Sequence, residues 1–106
     1  MKDKPSVDVI IPNYNKSNYI EEAINSVINQ TYKNWFLYII DDNSTDDSLE
    51  KIKKYSNLQN VKIIPLKKNK GPAFARNYGI RISKSKYISF LDSDDGWDSK
   101  KLEKQI

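Results

Sequence analysis

The sequence predicts an α/β fold built on a parallel β-sheet with helices on both faces. Short segments rich in β-branched and aromatic residues recur along the chain, and segments with the helical spacing of apolar residues separate them. Strand and helix alternate four times, which favours right-handed crossover connections and a parallel sheet. We expect the doubly wound strand order 3-2-1-4, which places the first and fourth strands side by side.

The first strand and the first helix have the clearest boundaries. The strand is predicted at residues 7–11, because Pro12 lacks the N–H group that a sheet needs. Asn18 and Glu21 have the spacing of a capping box at the start of the helix. Residues 35–40 are apolar throughout and predict a second strand that is buried on both faces. The apolar face of the helix consists of Ile20, Ala23, Ile24, Val27 and Ile28.

The middle of the chain predicts a second helix, a third strand and a third helix. The second helix has a narrow apolar stripe and is expected to begin near Ser44, and residues 61–66 predict the third strand. Pro72 suits the first turn of the third helix, which we extend to about Ser83. Gly79 within this helix indicates the close approach of another backbone.

The last part of the chain combines a strand with an acidic segment. Residues 87–91 predict a buried strand, and Ser99 begins a fourth helix. The carboxylates of Asp92, Asp94 and Asp95 follow the strand directly. Carboxylates this close together repel one another, and a divalent cation usually offsets the repulsion. A solvated acidic turn, or an aspartate cap on the next helix, is the alternative interpretation.

The composition restricts the chemistry that this protein can perform. The chain has 106 residues, enough for one domain, and contains neither cysteine nor histidine. Acid–base chemistry must therefore use Asp, Glu, Lys or Tyr, and a metal site must use oxygen ligands. The net charge is +4, but the only arginines are Arg76 and Arg81, so we expect no nucleic-acid partner.

The hydropathy and charge of the chain indicate its location. No apolar run approaches the length of a membrane span, and the lysine-rich amino end lacks the apolar stretch of a signal peptide. We expect a cytoplasmic protein. Because excess lysine gives weak attraction to anionic lipids, peripheral association with the inner face of the membrane is a further expectation.

Three polar segments follow predicted strands, at residues 12–16, 41–46 and 92–95. Ligands of doubly wound sheets bind beyond the carboxyl ends of the strands, at the point where the strand order reverses. A nucleoside diphosphate with Mg²⁺ or Mn²⁺ suits this crevice, because these ions take one or two carboxylates together with phosphate oxygens. Either Asp92 or Asp94 could hold the ion while the other accepts a hydrogen bond from a ribose hydroxyl.

Each candidate residue also has a purely structural interpretation. Tyr14 could stack on a base or cover the edge of the core, and Arg76 could reach an anionic ligand or pair with an acidic loop. Asp41 and Asp42 leave the second strand on opposite sides, so at most one of them points into the crevice. A carboxylate there could accept a hydrogen bond from an N–H group or a ribose hydroxyl. Trp97 is more often a core anchor than a sugar platform.

Four motifs together resemble the successive signatures of family 2 glycosyltransferases. They lie at residues 9–15, 40–46, 69–79 and 90–95, in the order and spacing of that family, and cover nearly the whole chain. The resemblance implies a GT-A, Rossmann-like fold and a nucleotide-sugar donor, with a UDP-sugar as the first expectation. It also implies a divalent cation, Mn²⁺ or Mg²⁺, and inversion at the anomeric carbon.

The resemblance implies roles for individual residues at matching motif positions. Asp42 would contact the base, and Pro12 and Tyr14 would line its pocket. Asp92 would lie near the ribose, and Asp94 would bind the metal that bridges the diphosphate. The remaining donor-binding residues expected from the motifs are Arg76 and Ser93.

The family's general base and acceptor site come from a second half that follows the Asp-x-Asp motif. We therefore expect residues 1–106 to be the donor-binding portion of a truncated domain, inactive alone, with the base beyond Ile106. The acceptor of the full-length enzyme would be a glycan, a lipid-linked molecule or a protein, in polysaccharide biosynthesis. One alternative is a non-catalytic nucleotide-binding or interaction module. Another is a sugar-phosphate nucleotidyltransferase, although the Gly-rich loop of that class is missing from residues 12–16.

Overall fold

Four parallel strands form one sheet in the order β3-β2-β1-β4, as predicted. The computed structural model describes residues 5–106. The strands are β1 (Val7–Asn13), β2 (Trp35–Asp41), β3 (Val61–Pro65) and β4 (Tyr87–Phe90). The helices are α1 (Ile20–Ile28), α2 (Ser48–Lys53), α3 (Pro72–Ile82) and α4 (Lys101–Gln105). The α/β class and the strand order are confirmed.

The central strand β1 is longer than predicted, because it continues through Pro12 to Asn13. The Ile10 carbonyl accepts a hydrogen bond from the N–H group of Leu91, so the backbone of Ile10 faces β4. Pro12 lies two residues further on and faces the same side. Since β4 ends at Phe90, opposite Ile10, no strand on that side requires an N–H group from Pro12. The predicted end at residue 11 is therefore wrong.

Helices cover both faces of the sheet, and each face has its own apolar layer. The larger layer lies under α1, α2 and α4 and includes Val9, Ile11, Ile24, Leu37, Ile52 and Leu102. The smaller layer lies under α3 and centres on Ile10, Ile40 and Ala75. Because α3 packs mainly on β1 and β2, it does not cover this face completely. Phe36, near the amino end of β2, is 45% exposed, so the prediction that this strand is buried throughout is wrong.

The strand β4 forms one edge of the sheet within residues 5–106. Tyr87, Ile88 and Phe90 are all exposed, so the prediction of a buried strand is wrong at these positions. Leu91, directly after the strand, is buried in the larger apolar layer. The apolar residues of β4 are therefore typical of a β-strand, but they do not show that other elements cover the strand.

Gly79 explains how closely α3 approaches the sheet. A Cβ atom at this position would lie 2.6 Å from Cγ2 of Ile10. The predicted close approach is present, but the neighbour is an isoleucine side chain and not another backbone.

Three helix starts differ from the predictions, and one of them is that of α4, which begins at Lys101 and not at Ser99. The capping box at Asn18 does not form, because no side chain caps α1 and the backbone carbonyl of Lys16 accepts hydrogen bonds from the N–H groups of Tyr19 and Ile20. The second helix begins at Ser48 and not near Ser44, because the Asp41 carboxylate holds the backbone N–H of Ser44 in a turn. None of the helices within residues 5–106 is long and apolar enough to cross a membrane.

Candidate functional site

A cavity of about 440 Å³ lies where the chain leaves β1, β2 and β4 at their carboxyl ends. This volume is within the range of roughly 300–1,000 Å³ that is typical of small-molecule sites. The strand order reverses at this point of the sheet, as expected for ligand sites of doubly wound folds. The lining residues are Pro12, Asn13, Tyr14, Lys16, Asp42, Asn69, Gly71, Pro72, Ala75, Arg76, Asp92, Ser93 and Asp94.

All of the predicted donor-binding residues and the predicted metal ligand line this one cavity. They are Pro12, Tyr14, Asp42, Arg76, Asp92, Ser93 and Asp94. They come from four separate segments of the sequence, which the parallel sheet brings to one edge. Their individual roles stay predictions.

Asp42 forms one wall of the cavity and fixes the loop between β3 and α3. Asp42 is 3% exposed as a whole residue. Its Oδ1 accepts a hydrogen bond from the backbone N–H of Lys70 at 2.7 Å, and Oδ2 accepts one from the backbone N–H of Gly71 at 2.9 Å. The Asp42 carbonyl accepts from Asn69 Nδ2 at 3.1 Å. A carboxylate offers about four acceptor positions, so each oxygen of Asp42 can still accept a hydrogen bond from a ligand.

Gly71 is the residue that lets the loop reach Asp42. Its φ angle is +91°, in the region that residues with a Cβ rarely adopt. Pro72 follows as the first residue of α3, as predicted. The loop therefore presents two backbone N–H groups to Asp42 and leads directly into the helix that carries Arg76.

Asp41, the neighbour of Asp42, does not line the cavity. Asp41 is buried, and its Oδ1 accepts hydrogen bonds from Asn13 Nδ2 at 2.9 Å and from Ser44 Oγ at 2.7 Å. Asn13 also donates to Ser48 Oγ at 3.0 Å, so the ends of β1 and β2 are tied to the start of α2. Of the two adjacent carboxylates, only Asp42 can reach a ligand in the cavity.

The loops after β1 and β2 are held together by a second set of hydrogen bonds. Asn15 adopts a positive φ of 52°, and its Oδ1 accepts from the backbone N–H groups of Thr45 and Asp46. Asp46 in turn accepts from the backbone N–H groups of Ser17 and Ser48. Burial alone would raise the pKa of Asp46, but the hydrogen bonds from Ser48 and Ser17 outweigh it and lower the pKa.

The acidic segment after β4 contains a cluster of hard oxygen donors. Asp92, Asp94 and Asp95 are exposed, and carboxylate oxygens from all three lie within 4.8 Å of one another. Such donors suit Mg²⁺ or Mn²⁺, which bind one or two carboxylates and keep their remaining positions for water and phosphate. Lys16 Nζ lies 3.7 Å from Asp94 Oδ2 and offsets part of the negative charge. The residues present therefore fit the predicted ion.

Tyr14 and Arg76 present unused polar or aromatic groups to the cavity. Tyr14 lines the cavity, is 43% exposed and belongs to neither apolar layer, so its side chain is accessible to a ligand. Arg76 is half-buried and makes no ion pair with any residue in the range 5–106. The alternative in which Arg76 only pairs with an acidic loop is therefore not observed. Trp97 packs against the larger apolar layer, as expected of a core anchor.

Several lining residues were missed by the sequence reasoning as individual candidates. Asn13, Lys16 and Asn69 lie in the segments that were identified, but nothing in their local sequence indicates contacts with distant residues. Lys16 meets Asp94 across the cavity, and Asn69 meets Asp42. Ala75 lies one turn into α3, where its small side chain leaves room beside the cavity.

Comparison with known proteins identifies relatives along nearly the whole chain. Residues 8–106 match the sequence profile of the family described as "Glycosyl transferase family 2". The putative teichuronic acid biosynthesis glycosyltransferase TuaG of Bacillus subtilis (strain 168) is 40% identical over 104 residues, which are 97% of this chain and 41% of TuaG. WfgD of Escherichia coli, described as a UDP-Glc:alpha-D-GlcNAc-diphosphoundecaprenol beta-1,3-glucosyltransferase, is 41% identical over 100 residues, 94% of this chain and 39% of WfgD. The chain thus spans about two fifths of the length of these curated relatives.

The fold has a close counterpart among solved structures. The crystal structure of S. aureus TarS 1-349 in complex with UDP-GlcNAc superposes with a TM-score of 0.88 and 33% sequence identity. The match covers 94% of this chain and 30% of the TarS chain. The four-stranded parallel sheet is therefore the GT-A arrangement that the sequence resemblance implies. Since the family profile extends over residues 8–106, this chain belongs to glycosyl transferase family 2.

Proposed function

We propose that this chain is the nucleotide-sugar-binding portion of a glycosyltransferase that transfers a sugar from a nucleoside diphosphate to an acceptor hydroxyl. The observation that supports this most directly is the single cavity that Asp42, Arg76 and Asp94 line together. In this cavity, Asp42 offers a hydrogen-bond acceptor to N–H or O–H groups of a base or ribose. Arg76 offers a positive charge to phosphate, and Asp94 offers a carboxylate to a metal ion. The names of the similar proteins TarS, in complex with UDP-GlcNAc, and WfgD favour a UDP-sugar as the donor.

The nucleoside is proposed to bind between the loop after β1 and Asp42. The exposed ring of Tyr14 supplies a stacking surface for the base, beside Pro12. Asp42 is held in place by its bonds to Lys70 and Gly71, and its remaining acceptor positions face an N–H donor such as that of uracil. Because the carboxylate is fixed before the ligand arrives, little side-chain entropy is lost on binding.

The ribose and the diphosphate are proposed to extend toward the end of β4. Asp92 and Ser93 lie on this side of the cavity and can hydrogen-bond to the ribose. Asp94 is the proposed ligand of Mn²⁺ or Mg²⁺, which supplies positive charge to the departing nucleoside diphosphate. Arg76 and Lys16 contribute further positive charge from α3 and from the loop after β1.

Inversion at the anomeric carbon requires a base that removes the proton of the acceptor hydroxyl. Within residues 5–106, the carboxylates that line the cavity are Asp42, Asp92 and Asp94, and each has another role in this proposal. We therefore place the base outside this range, beyond Ile106, and propose that the 106-residue chain binds donor without transferring sugar. A lipid-linked acceptor and a place in cell-surface polysaccharide synthesis are suggested by the names of WfgD and TuaG.

A calorimetric titration of UDP into this chain, with and without Mn²⁺, tests the donor site. Binding should be stronger with Mn²⁺, and Asp94→Ala should weaken the Mn²⁺-dependent affinity by about tenfold or more, because it removes a metal ligand. Glu103→Ala is the matched control, since it removes an exposed carboxylate on α4, away from the cavity. Unchanged affinity of a folded Asp94→Ala variant would contradict the assignment of the metal ligand.

Release of UDP from UDP-sugars tests the second part of the proposal. A chain that only binds donor gives no release above the rate without protein, with or without soluble acceptor sugars. Sustained release by the 106-residue chain would contradict the placement of the base outside this range. Tight UDP binding that does not change with Mn²⁺ would instead favour a non-catalytic nucleotide-binding module.

A further inference from the structure

Charge is distributed unevenly along this chain. Residues 61–91 contain eight lysine and arginine residues and no aspartate or glutamate. They form β3, α3, β4 and the connections between them. We use the term α3 face for the outer surface of α3 together with the flanking segments 66–70 and 83–86. Its exposed basic residues are Lys67, Lys68, Lys70, Arg81, Lys84 and Lys86.

Carboxylates from other parts of the structure do not neutralise the α3 face. Among the residues that the structure describes, Asp8 and Asp42 are the carboxylates that hydrogen-bond to segment 61–91. Both are buried, with 1% and 3% exposure, and both bind backbone N–H groups and not the lysine ammonium groups. The positive charges on the surface therefore remain available to an external partner.

Aromatic rings connect the basic residues along α3. Lys70 Nζ lies 5.8 Å from the ring centre of Phe74, and the rings of Phe74 and Tyr78 are 6.4 Å apart. The guanidinium carbon of Arg81 lies 5.8 Å from the ring centre of Tyr78. These four side chains form a continuous stripe from the loop before α3 to its last turn. Ile80, on the same helix, is 45% exposed.

We propose that the α3 face binds the surface of an anionic phospholipid bilayer. Lysine and arginine residues near an anionic bilayer are attracted to it, and each of them increases the partition coefficient by about fivefold. Aromatic rings and an exposed isoleucine favour the region between lipid headgroups and acyl chains. The opposite face of the sheet mixes both signs of charge, for example Glu21 and Lys54 in one ion pair.

The placement of the α3 face relates membrane binding to the cavity. Asn69, Gly71 and Pro72 line the cavity and also lie at the start of the stripe along α3. A bilayer in contact with the α3 face therefore lies beside one rim of the cavity. That position suits a lipid-linked acceptor, and this one consequence rests on the proposed function. The membrane contact itself does not depend on donor binding.

Vesicle sedimentation with the 106-residue chain tests the surface. We expect binding to phosphatidylcholine vesicles that contain phosphatidylglycerol, little binding to phosphatidylcholine alone, and weaker binding as salt rises. The variant Lys68→Gln/Lys84→Gln/Lys86→Gln should lower the partition coefficient at least tenfold, given about fivefold for each charge. The control Lys53→Gln/Lys100→Gln/Lys104→Gln removes the same charge from exposed positions around α2 and α4, and should lower it less than about threefold.

Equal losses in the two triple variants would overturn the proposal, because binding would then follow net charge alone. Absence of binding to the anionic vesicles would overturn it as well. So would equally strong, equally salt-sensitive binding to duplex DNA, which would make the α3 face a general polyanion site. We expect the UDP affinity of the same triple variants to stay unchanged. This measurement distinguishes a loss of vesicle binding from a failure of the proposed donor site.

Site-directed labelling identifies the face that meets the lipid. The chain has no cysteine, so Ile80→Cys and Glu22→Cys each provide a single attachment point for a fluorophore, on α3 and on α1. Lipids that carry a quencher in the headgroup region should quench the label at position 80 severalfold more than the label at position 22. Stronger quenching at position 22 would overturn the assignment of the α3 face.

Discussion

Asp8 and Asp42 are both buried aspartates beside the same sheet, yet their surroundings differ. Asp8 lies near the amino end of β1 and accepts four hydrogen bonds from Ser83, Lys84 and Ser85. Asp42 lies at the opposite end of the sheet, and its carboxylate accepts two hydrogen bonds from its own chain. It also borders the cavity, whereas Asp8 does not.

The difference shows what decides whether a buried carboxylate has a structural role or can bind a ligand. Asp8 accepts four hydrogen bonds from the connection between α3 and β4, and a carboxylate offers about four acceptor positions, so Asp8 serves to hold that connection in place. Asp42 retains unused acceptor positions on the side of the cavity. Burial is nearly the same for the two residues, and the number of internal hydrogen bonds distinguishes them.

Removing the carboxylate of Asp8 should have the largest effect on stability. Asp8→Ala leaves two serine hydroxyls and two backbone N–H groups without their acceptor, so we expect the free energy of unfolding to fall by about 3 kcal/mol. Urea denaturation measures this change. The control Glu22→Ala removes an exposed carboxylate on α1 and should change stability by less than about 0.5 kcal/mol. Equal stability of the two variants would contradict the structural role of Asp8.

Changing Asp42 should affect both stability and nucleotide affinity, each by a smaller amount. In Asp42→Asn, the amide NH₂ group would face a backbone N–H of Lys70 or Gly71 in place of a carboxylate oxygen. We expect a loss of about 1–2 kcal/mol in unfolding free energy and about tenfold in UDP affinity. Both losses are needed to support the role of Asp42. A loss of stability with unchanged UDP affinity would make Asp42 a second structural carboxylate like Asp8.

The contribution of Asp8 to the pH dependence of stability should be the smallest of the expected effects. Burial alone would raise the pKa of Asp8, but its hydrogen bonds from serine hydroxyls and backbone N–H groups outweigh this and hold the pKa below the ordinary 3.8. Ionised Asp8 therefore stabilises the fold above the unfolded-state pKa, and this contribution is lost as pH falls through the lowered pKa.

The comparison of Asp8→Asn with the unaltered protein measures this contribution. Urea denaturation between neutral and acidic pH should give a smaller loss of stability for the variant, because it lacks the titrating carboxylate. Parallel curves for the two proteins would show that Asp8 has the same pKa in the folded and unfolded states.

The sequence was sufficient to predict the fold and the location of the cavity. Alternating strand and helix periodicity gives a parallel sheet, and such a sheet brings every strand's carboxyl end to one edge. Pro12, Asp42 and Asp94 could therefore be placed together although they lie far apart in the chain. These predictions depended on local patterns plus one general rule of topology.

The predictions that failed depended on distant parts of the chain. Whether Pro12 ends β1 is decided by where β4 ends. Whether β4 is buried is decided by how far the helices on both faces extend over this edge of the sheet. The expected cap at Asn18 failed because the carbonyl of Lys16 already binds the first N–H groups of the helix. Similarly, the ion pair of Lys16 with Asp94 joins segments that no local pattern relates.

The hydrogen bonds between the loops after β1 and β2 have a thermodynamic consequence. Asn15 is joined to Thr45 and Asp46, and Asn13, at the end of β1, to Asp41 and Ser48, so the two loops are already ordered in the protein without ligand. The conformational entropy of these loops is therefore lost during folding and not during ligand association. We expect the nucleotide to meet a rigid receptor, with an association rate limited by diffusion and orientation instead of loop closure.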